Sequence, residues 1–352
     1  MAMTMTRNHA YADEYWQGTE VAYNIVYGGV ELPWEWTPNY RIRNVVYPYF
    51  IAIPLWIFKT LGVDSREMVR LAPYLAHLCT VMLSDIYFYK LTKKVFGSQT
   101  AKISFMMYFT NAFFNSFLIR CFGNSVESTI HLVVFYYFYD ITSNFDKNVS
   151  IVAFCLAVSM GIRNTSIMGW VPLLVFKMFQ KRAIVAFILT AVLVALPTLG
   201  LIVLIDSVYY GQLTITAYNF FLVNVFKNLS AEFGTHRTWI FFDEFLPEAF
   251  GYTLILLFFS VLYAVKASWN RRQIPYVLIF TAINLAILSS LDHKEGRFML
   301  PVFPYFFIMM GDFLASKLKT RYLKWLVLIY LFLQPSYQVV SHKAWSLIYK
   351  QL

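Results

Sequence analysis

Apolar runs of 14 to 23 residues alternate with short polar connectors along most of this chain. A helix crossing a bilayer needs about 20 mostly apolar residues, fewer where flanking side chains reach back to the interface. On that measure the pattern predicts ten spans, at 68–90, 99–119, 126–141, 149–162, 167–180, 183–205, 249–267, 274–290, 298–316 and 322–340. One further apolar stretch, Val45–Leu61, is interrupted by Pro48 and Pro54 and reads as a re-entrant or interfacial helix pair. The expected architecture is all-α: a polytopic integral membrane protein with a single transmembrane domain over 1–352. A first non-cytoplasmic loop at 1–67 carries the re-entrant helices, and a long one occupies 206–248.

Composition supports the membrane assignment. Of 352 residues 59% are hydrophobic and 14% charged, against about a quarter charged in soluble domains. The 34 Phe and 25 Tyr suit lipid-facing helices with interfacial belts. A net charge of +10 would suggest nucleic acid in a soluble protein. Here the basic residues cluster in connectors, so topology explains them and no nucleic-acid partner is expected. The three cysteines, Cys79, Cys121 and Cys155, have neither metal-ligand spacing nor a disulfide pattern.

Ten spans place four basic groups on one side, which the positive-inside rule makes cytoplasmic. They are Lys90, Lys93 and Lys94; Lys177, Lys181 and Arg182; Lys266, Arg271 and Arg272; and Lys317, Lys319 and Arg321. The opposite side receives 1–67, Arg120–Ser125, Arg163–Ser166, Asp206–Glu248 and the hexapeptide His293-Lys294-Glu295-Gly296-Arg297-Phe298. Most carboxylates, amides and histidines suited to chemistry fall there, which marks that side as the active or transport face.

Four constellations stand out on it. The first loop carries Asp13-Glu14-Tyr15-Trp16-Gln17, then Glu20 and Trp34-Glu35-Trp36. A carboxylate among tryptophans can hold a base against a sugar face. Adjacent side chains on a regular backbone diverge, so only one of Asp13 and Glu14 is expected to meet substrate; the alternative is a helix N-terminus favoured by its dipole. Arg120, Asn124, Ser125 and Glu127 follow the second span, and Arg163 the fourth. Each arginine could be snorkelling from a helix end, or both could contribute to a phosphate pocket with the hexapeptide cations. The hexapeptide itself reads equally as a positive flanking loop or an anion site. The long loop holds His236, with no second ligand at zinc spacing; no metal is expected.

Together these motifs resemble the dolichyl-phosphate-mannose-dependent mannosyltransferases of the GT-C class, glycosyltransferase family 22. The resemblance runs from Tyr11 to about Tyr337 and rests on the Asp-Glu pair, the Trp-Glu-Trp element, Arg120-x-x-x-Asn124-Ser125-x-Glu127 and His293–Phe298. The first-loop motif and the run through Asp206, Asn219 and His236 are most like the branch adding the third, α-1,2-linked mannose of the GPI-anchor precursor; the N-glycan branch is the alternative. The sequence departs from the family at Ala12, where proline is usual, and at Asn164 within Arg163-Asn164-Thr165. Twelve residues precede Asp13, where the family has a transmembrane helix, and the family's C-terminal luminal domain has no counterpart. A compact form would account for both departures, and a misplaced start for the first.

The resemblance implies a multi-pass protein of the endoplasmic reticulum membrane, acting as a monomer on a lipid-linked sugar donor and a glycolipid acceptor. It implies an inverting, metal-independent hexosyl transfer without a cofactor. Asp13 would be the base, assisted by Glu14. His293, Lys294, Arg297, Arg163 and Arg120 would bind the donor phosphate. His236, Gln17, Asn124 and Glu127 would face the acceptor or support the site. A lipid transporter or scramblase, and a non-catalytic relative, are the readings from other classes.

Overall fold

The computed structural model describes residues 13–141, 147–181, 184–227, 229, 232, 234–271 and 275–317. Among them every regular element is helical. The principal helices are α1 (Glu20–Tyr27), α2 (Val46–Leu61), α3 (Arg66–Phe96), α4 (Ser98–Thr110), α5 (Ala112–Leu118), α6 (Gly123–Tyr139) and α7 (Lys147–Ile162). They continue with α8 (Trp170–Lys181), α9 (Ile184–Tyr210), α10 (Thr216–Phe221), α11 (Leu246–Phe250), α12 (Leu254–Arg271), α13 (Tyr276–Ser290) and α14 (Phe303–Lys317). Three helical stretches, Arg66–Phe96, Ile184–Tyr210 and Phe241–Trp269, are long and apolar enough to cross a membrane. The predicted span 322–340 lies outside the described residues.

The helix α9 presents its apolar side chains outward: Leu193 is 72% and Leu196 59% exposed. Leucines exposed in series are costly in water and normal in lipid, where backbone hydrogen bonds close within the helix. The protein is accordingly a multi-pass membrane protein.

Two predicted elements need correcting. Val45–Leu61 is not a pair of helices but one, Val46–Leu61. Pro48 sits in its first turn, where the missing N–H is no loss, and Pro54 is accommodated within it. The predicted span 99–119 is two helices, broken at Asn111. This residue ends α4 and caps α5: its Oδ1 accepts the Phe114 N–H at 2.8 Å, while its Nδ2 donates to the Ala249 carbonyl at 2.9 Å.

The described residues fall into two compact units. The first draws on residues 1–84 and 118–234. In it, α7 packs against both α6 and α9, and Trp170 is fully buried with its ring 4.5 Å from that of Phe135. The second draws on residues 85–117 and 235–352. Its centre is aromatic: Phe250 lies 5.7 Å from Phe303 and 5.6 Å from Phe307, ring to ring. There α14 lies directly on α4. A Cβ on Gly311 would fall 2.9 Å from the Ser104 backbone nitrogen, so only glycine permits this approach.

Candidate active site

In the first unit, residues 13–27 form a continuous helix whose segment Tyr15–Thr19 is π-helical. Such one-turn irregularities recur at functional sites because they re-aim side chains. Asp13 and Glu14 diverge from it as neighbours on a helix must. Asp13 is half-buried, and its Oδ2 accepts the Gln17 Nε2–H at 2.9 Å. Glu14 is 2% exposed. Its Oε2 receives Arg120 Nη1 at 2.8 Å, and its Oε1 accepts the Cys121 N–H at 3.3 Å and the Tyr74 hydroxyl at 3.4 Å. A buried carboxylate requires such partners, since an unpaired one costs several kcal/mol. Burial, followed by the Glu14 charge, pushes the phenol of Tyr15 and the thiol of Cys121 up.

Arg163 makes a second paired cluster. Its Nη1 donates to Asn124 Oδ1 at 2.6 Å, and its Nε lies 3.1 Å from Glu127 Oε2. Asn124 and Glu127 are both buried. The Arg120-x-x-x-Asn124-x-x-Glu127 element thus supplies one guanidinium to the first-loop helix and two acceptors to Arg163.

In the second unit the hexapeptide and His236 come together. The His236 N–H donates to the Asp292 carbonyl at 2.9 Å, and the Lys294 N–H to His236 Nδ1 at 3.3 Å. Lys294 is 2% exposed, and its ammonium donates to the carbonyls of His236, at 3.1 Å, and Leu291. It works as a tie between the long loop and the hexapeptide. The motif's carboxylate, absent from the predicted site residues, organises the remaining cations. Glu295 Oε1 accepts from His293 Nε2 at 3.0 Å and from Arg297 Nη2 at 2.9 Å, and its Oε2 lies 2.6 Å from Arg297 Nε. One charge-assisted hydrogen bond and this close ion contact hold the guanidinium against the carboxylate. The rings of His236 and His293 stand 5.5 Å apart. Among the described residues, no three His, Cys, Asp or Glu side chains gather as a metal site would need.

A buried anchor in the first unit escapes a reading of the sequence alone. Asp206, placed by hydropathy in the long loop, lies in the last turns of α9 and is fully buried. Its Oδ1 accepts the Val45 N–H at 2.9 Å, and its Oδ2 accepts Asn44 Nδ2 at 2.7 Å and the Thr216 hydroxyl at 2.8 Å. Trp36 adds a further tie, its Nε1–H donating to the Trp16 carbonyl at 3.0 Å. The predicted residues thus form separate constellations: Asp13, Glu14, Gln17 and Arg120; Asn124, Glu127 and Arg163; and His236 with His293, Lys294 and Arg297.

This combination of motifs has counterparts in known proteins. Residues 1–351 match the profile described as the Alg9-like mannosyltransferase family. The chain belongs to that family. Among similar proteins, GPI alpha-1,2-mannosyltransferase 3 of Bos taurus is 31% identical over 88% of this chain and 55% of its own length. The Homo sapiens protein of the same name is 30% identical over 88% and 54%, and Mannosyltransferase APTG1 of Arabidopsis thaliana is 29% identical over 85% and 54%. This family member spans about half the length of the curated relatives it matches. In fold it is similar to the crystal structure of ArnT from Cupriavidus metallidurans bound to undecaprenyl phosphate, with a TM-score of 0.63 at 12% identity over 91% of this chain and 59% of that one. The all-α, GT-C-type fold expected from the sequence is therefore the observed one.

Proposed function

We propose that the chain transfers mannose from dolichyl-phosphate-mannose to the 2-hydroxyl of a mannose on the GPI-anchor precursor, at the luminal face of the endoplasmic reticulum membrane. The observation that carries this reading is the similarity, over 88% of the chain, to proteins named GPI alpha-1,2-mannosyltransferase 3. Site geometry supports it. Glu14 is consumed by its ion pair, which leaves the half-buried Asp13, oriented by Gln17, as the base. The acceptor oxygen attacks the anomeric carbon, the bond to the phosphate oxygen breaks, and the proton passes to Asp13. One such displacement on a β-linked donor gives an α-linked product. The leaving group is already a phosphate anion, so no general acid is required.

His293 and Arg297, held together by Glu295, take the departing dolichyl phosphate. The ArnT structure, which contains undecaprenyl phosphate, gives a fold-level parallel for a polyprenyl phosphate ligand. Lys294, Arg120 and Arg163 set the frame, with Glu127 and Asn124 holding Arg163 and His236 holding the hexapeptide. Cationic side chains supply the charge that a divalent metal would otherwise provide, and a monomer suffices.

The test is transfer of radiolabelled mannose from dolichyl-phosphate-mannose in membranes carrying the chain, joined to complementation of strains lacking each mannosyltransferase step. Rescue of the third GPI mannose is expected. Rescue of an N-glycan step instead would move the acceptor to that branch, and no transfer with any acceptor would refute the reading.

A further inference from the structure

A cleft of about 310 Å³ opens in the first unit between the segment Pro38–Arg41 and the segment Gln212–Asn219. None of the residues given a role above lines it. Its walls carry the side chains of Asn39, Tyr40, Arg41, Gln212, Tyr218 and Asn219, and no carboxylate. Amides and a hydroxyl-bearing aromatic match a sugar's edge, and an aromatic face matches its C–H surface.

Arg41 is the cation of this cleft and adopts an unusual backbone. Its φ of 46° makes it the only non-glycine residue with positive φ among the described residues. A side chain in the left-handed region costs about 1 kcal/mol or more and persists where its surroundings enforce it. Here Asn219 Nδ2 donates to the Arg41 carbonyl at 3.1 Å, and the guanidinium donates through Nε, at 2.6 Å, and Nη2 to the Pro38 carbonyl. These contacts fix one edge of the guanidinium on the cleft wall; no described residue takes its Nη1.

The cleft also has an apolar lip. It follows directly on α9, the most apolar of the long described helices, and Leu213 is 81%, Ile215 47% and Tyr218 60% exposed. A polar, anion-compatible recess beside exposed apolar side chains at a membrane helix end fits an amphiphile, with a sugar-phosphate head and hydrocarbon tails. One wall belongs to the same loop as Asp13, tied to the Asp13 helix through Trp36 and the Trp16 carbonyl.

We propose that this cleft binds the lipid-proximal sugar-phosphate of the acceptor glycolipid, with Arg41 on the phosphodiester, Tyr218 against the sugar and Leu213 and Ile215 against the first methylenes of its chains. The assignment rests on the reading of the chain as a transferase onto a glycolipid, in which the donor phosphate belongs to His293 and Arg297.

The experiment uses the full chain in nanodiscs and a photoreactive phosphatidylinositol glycoside as probe. Arg41→Gly removes the guanidinium at a backbone angle that glycine prefers, and Tyr218→Ala truncates an exposed side chain, so neither variant threatens the fold. Labelling of the 38–41 or 212–219 segments in the wild type, reduced about tenfold in each variant, is expected from loss of one charge-assisted hydrogen bond or one stacking face. Excess phosphatidylserine and excess dolichyl phosphate should both fail to displace the probe. An unlabelled wild type, variants labelled like wild type, or displacement by either competitor overturns the proposal. Mannose transfer is measured separately. Labelling as expected without any transfer would sink the transferase reading and leave the cleft standing; transfer with variants labelled like wild type would do the reverse.

Discussion

The Glu14 carboxylate receives the Arg120 guanidinium at 2.8 Å, with both side chains withdrawn from solvent. This pair fixes the helix that carries Asp13 against the polypeptide that follows α5. It commits one of two adjacent carboxylates to structure and leaves Asp13, the proposed base, outside the pair.

The division predicts opposite phenotypes. Glu14→Gln or Arg120→Met leaves a buried, uncompensated partner, at a cost of about 3–5 kcal/mol. Thermal unfolding in detergent should show a large loss of stability for either, and the double variant should lose less than the sum of the two.

Asp13→Asn should leave the unfolding midpoint at its wild-type position and lower kcat about a hundredfold or more, the scale of general-base removal. Donor binding should persist. Near wild-type transfer by Asp13→Asn in membranes would show that another group takes the proton.

Gly18 bears on the same helix from below. A Cβ there would stand 2.8 Å from Tyr47 Cε1 and 2.9 Å from Ile51 Cδ1, both on α2. Overpacking of that kind costs about 1–3 kcal/mol. Gly18→Ala should therefore lower both the unfolding midpoint and kcat, because the displaced helix carries Asp13 with it. A variant as stable and active as wild type would mean that the helix does not need this close seat.

In the hexapeptide, Arg297→Lys keeps the charge and loses the two-point contact with Glu295. The expected result is a donor KM raised about tenfold, with acceptor KM unchanged. Equal changes in both constants would argue against a role on the donor phosphate.

Cys121 offers a test by pH. Burial, reinforced by Glu14, holds its thiol well above the ordinary value of 9.0. The folded protein keeps a proton that the unfolded chain releases, so this thiol's contribution is fully present below about pH 8 and is lost as pH rises above the unfolded value. Wild-type stability should fall more steeply between pH 8 and pH 10 (about the range of thiol titration) than that of Cys121→Ala. Parallel curves would mean that the thiol titrates normally.

Much of this was legible in the sequence. Long apolar runs require helices, and the order of the four motifs carried the fold type. The division of labour between Asp13 and Glu14 was legible only in part: helical geometry says that they diverge, but the partner of Glu14 lies 106 residues away. The Asp206 anchor was hidden for the same reason, since its donors come from Asn44, Val45 and Thr216. Asn111 is a different case. Its signal was present, an amide inside an apolar run, and hydropathy averaging erased it. Lys294 shows the limit of charge as a guide, because a cation in a motif read as an anion site can be spent on carbonyls of its own chain.

The helix α9 has 27 residues. At about 1.5 Å per residue it is about 40 Å long, against a hydrocarbon layer of about 30 Å. The surplus must be taken up by tilt or by projection above the lipid. Because Asp206 fastens the upper turns of this helix to Asn44 and Val45, bilayer thickness is transmitted to the first loop. The helix acts as a mooring post: in a thicker membrane the loop rides closer to the headgroups, and in a thinner one it stands off. Transfer rates should therefore vary with lipid chain length even when both substrates are saturating.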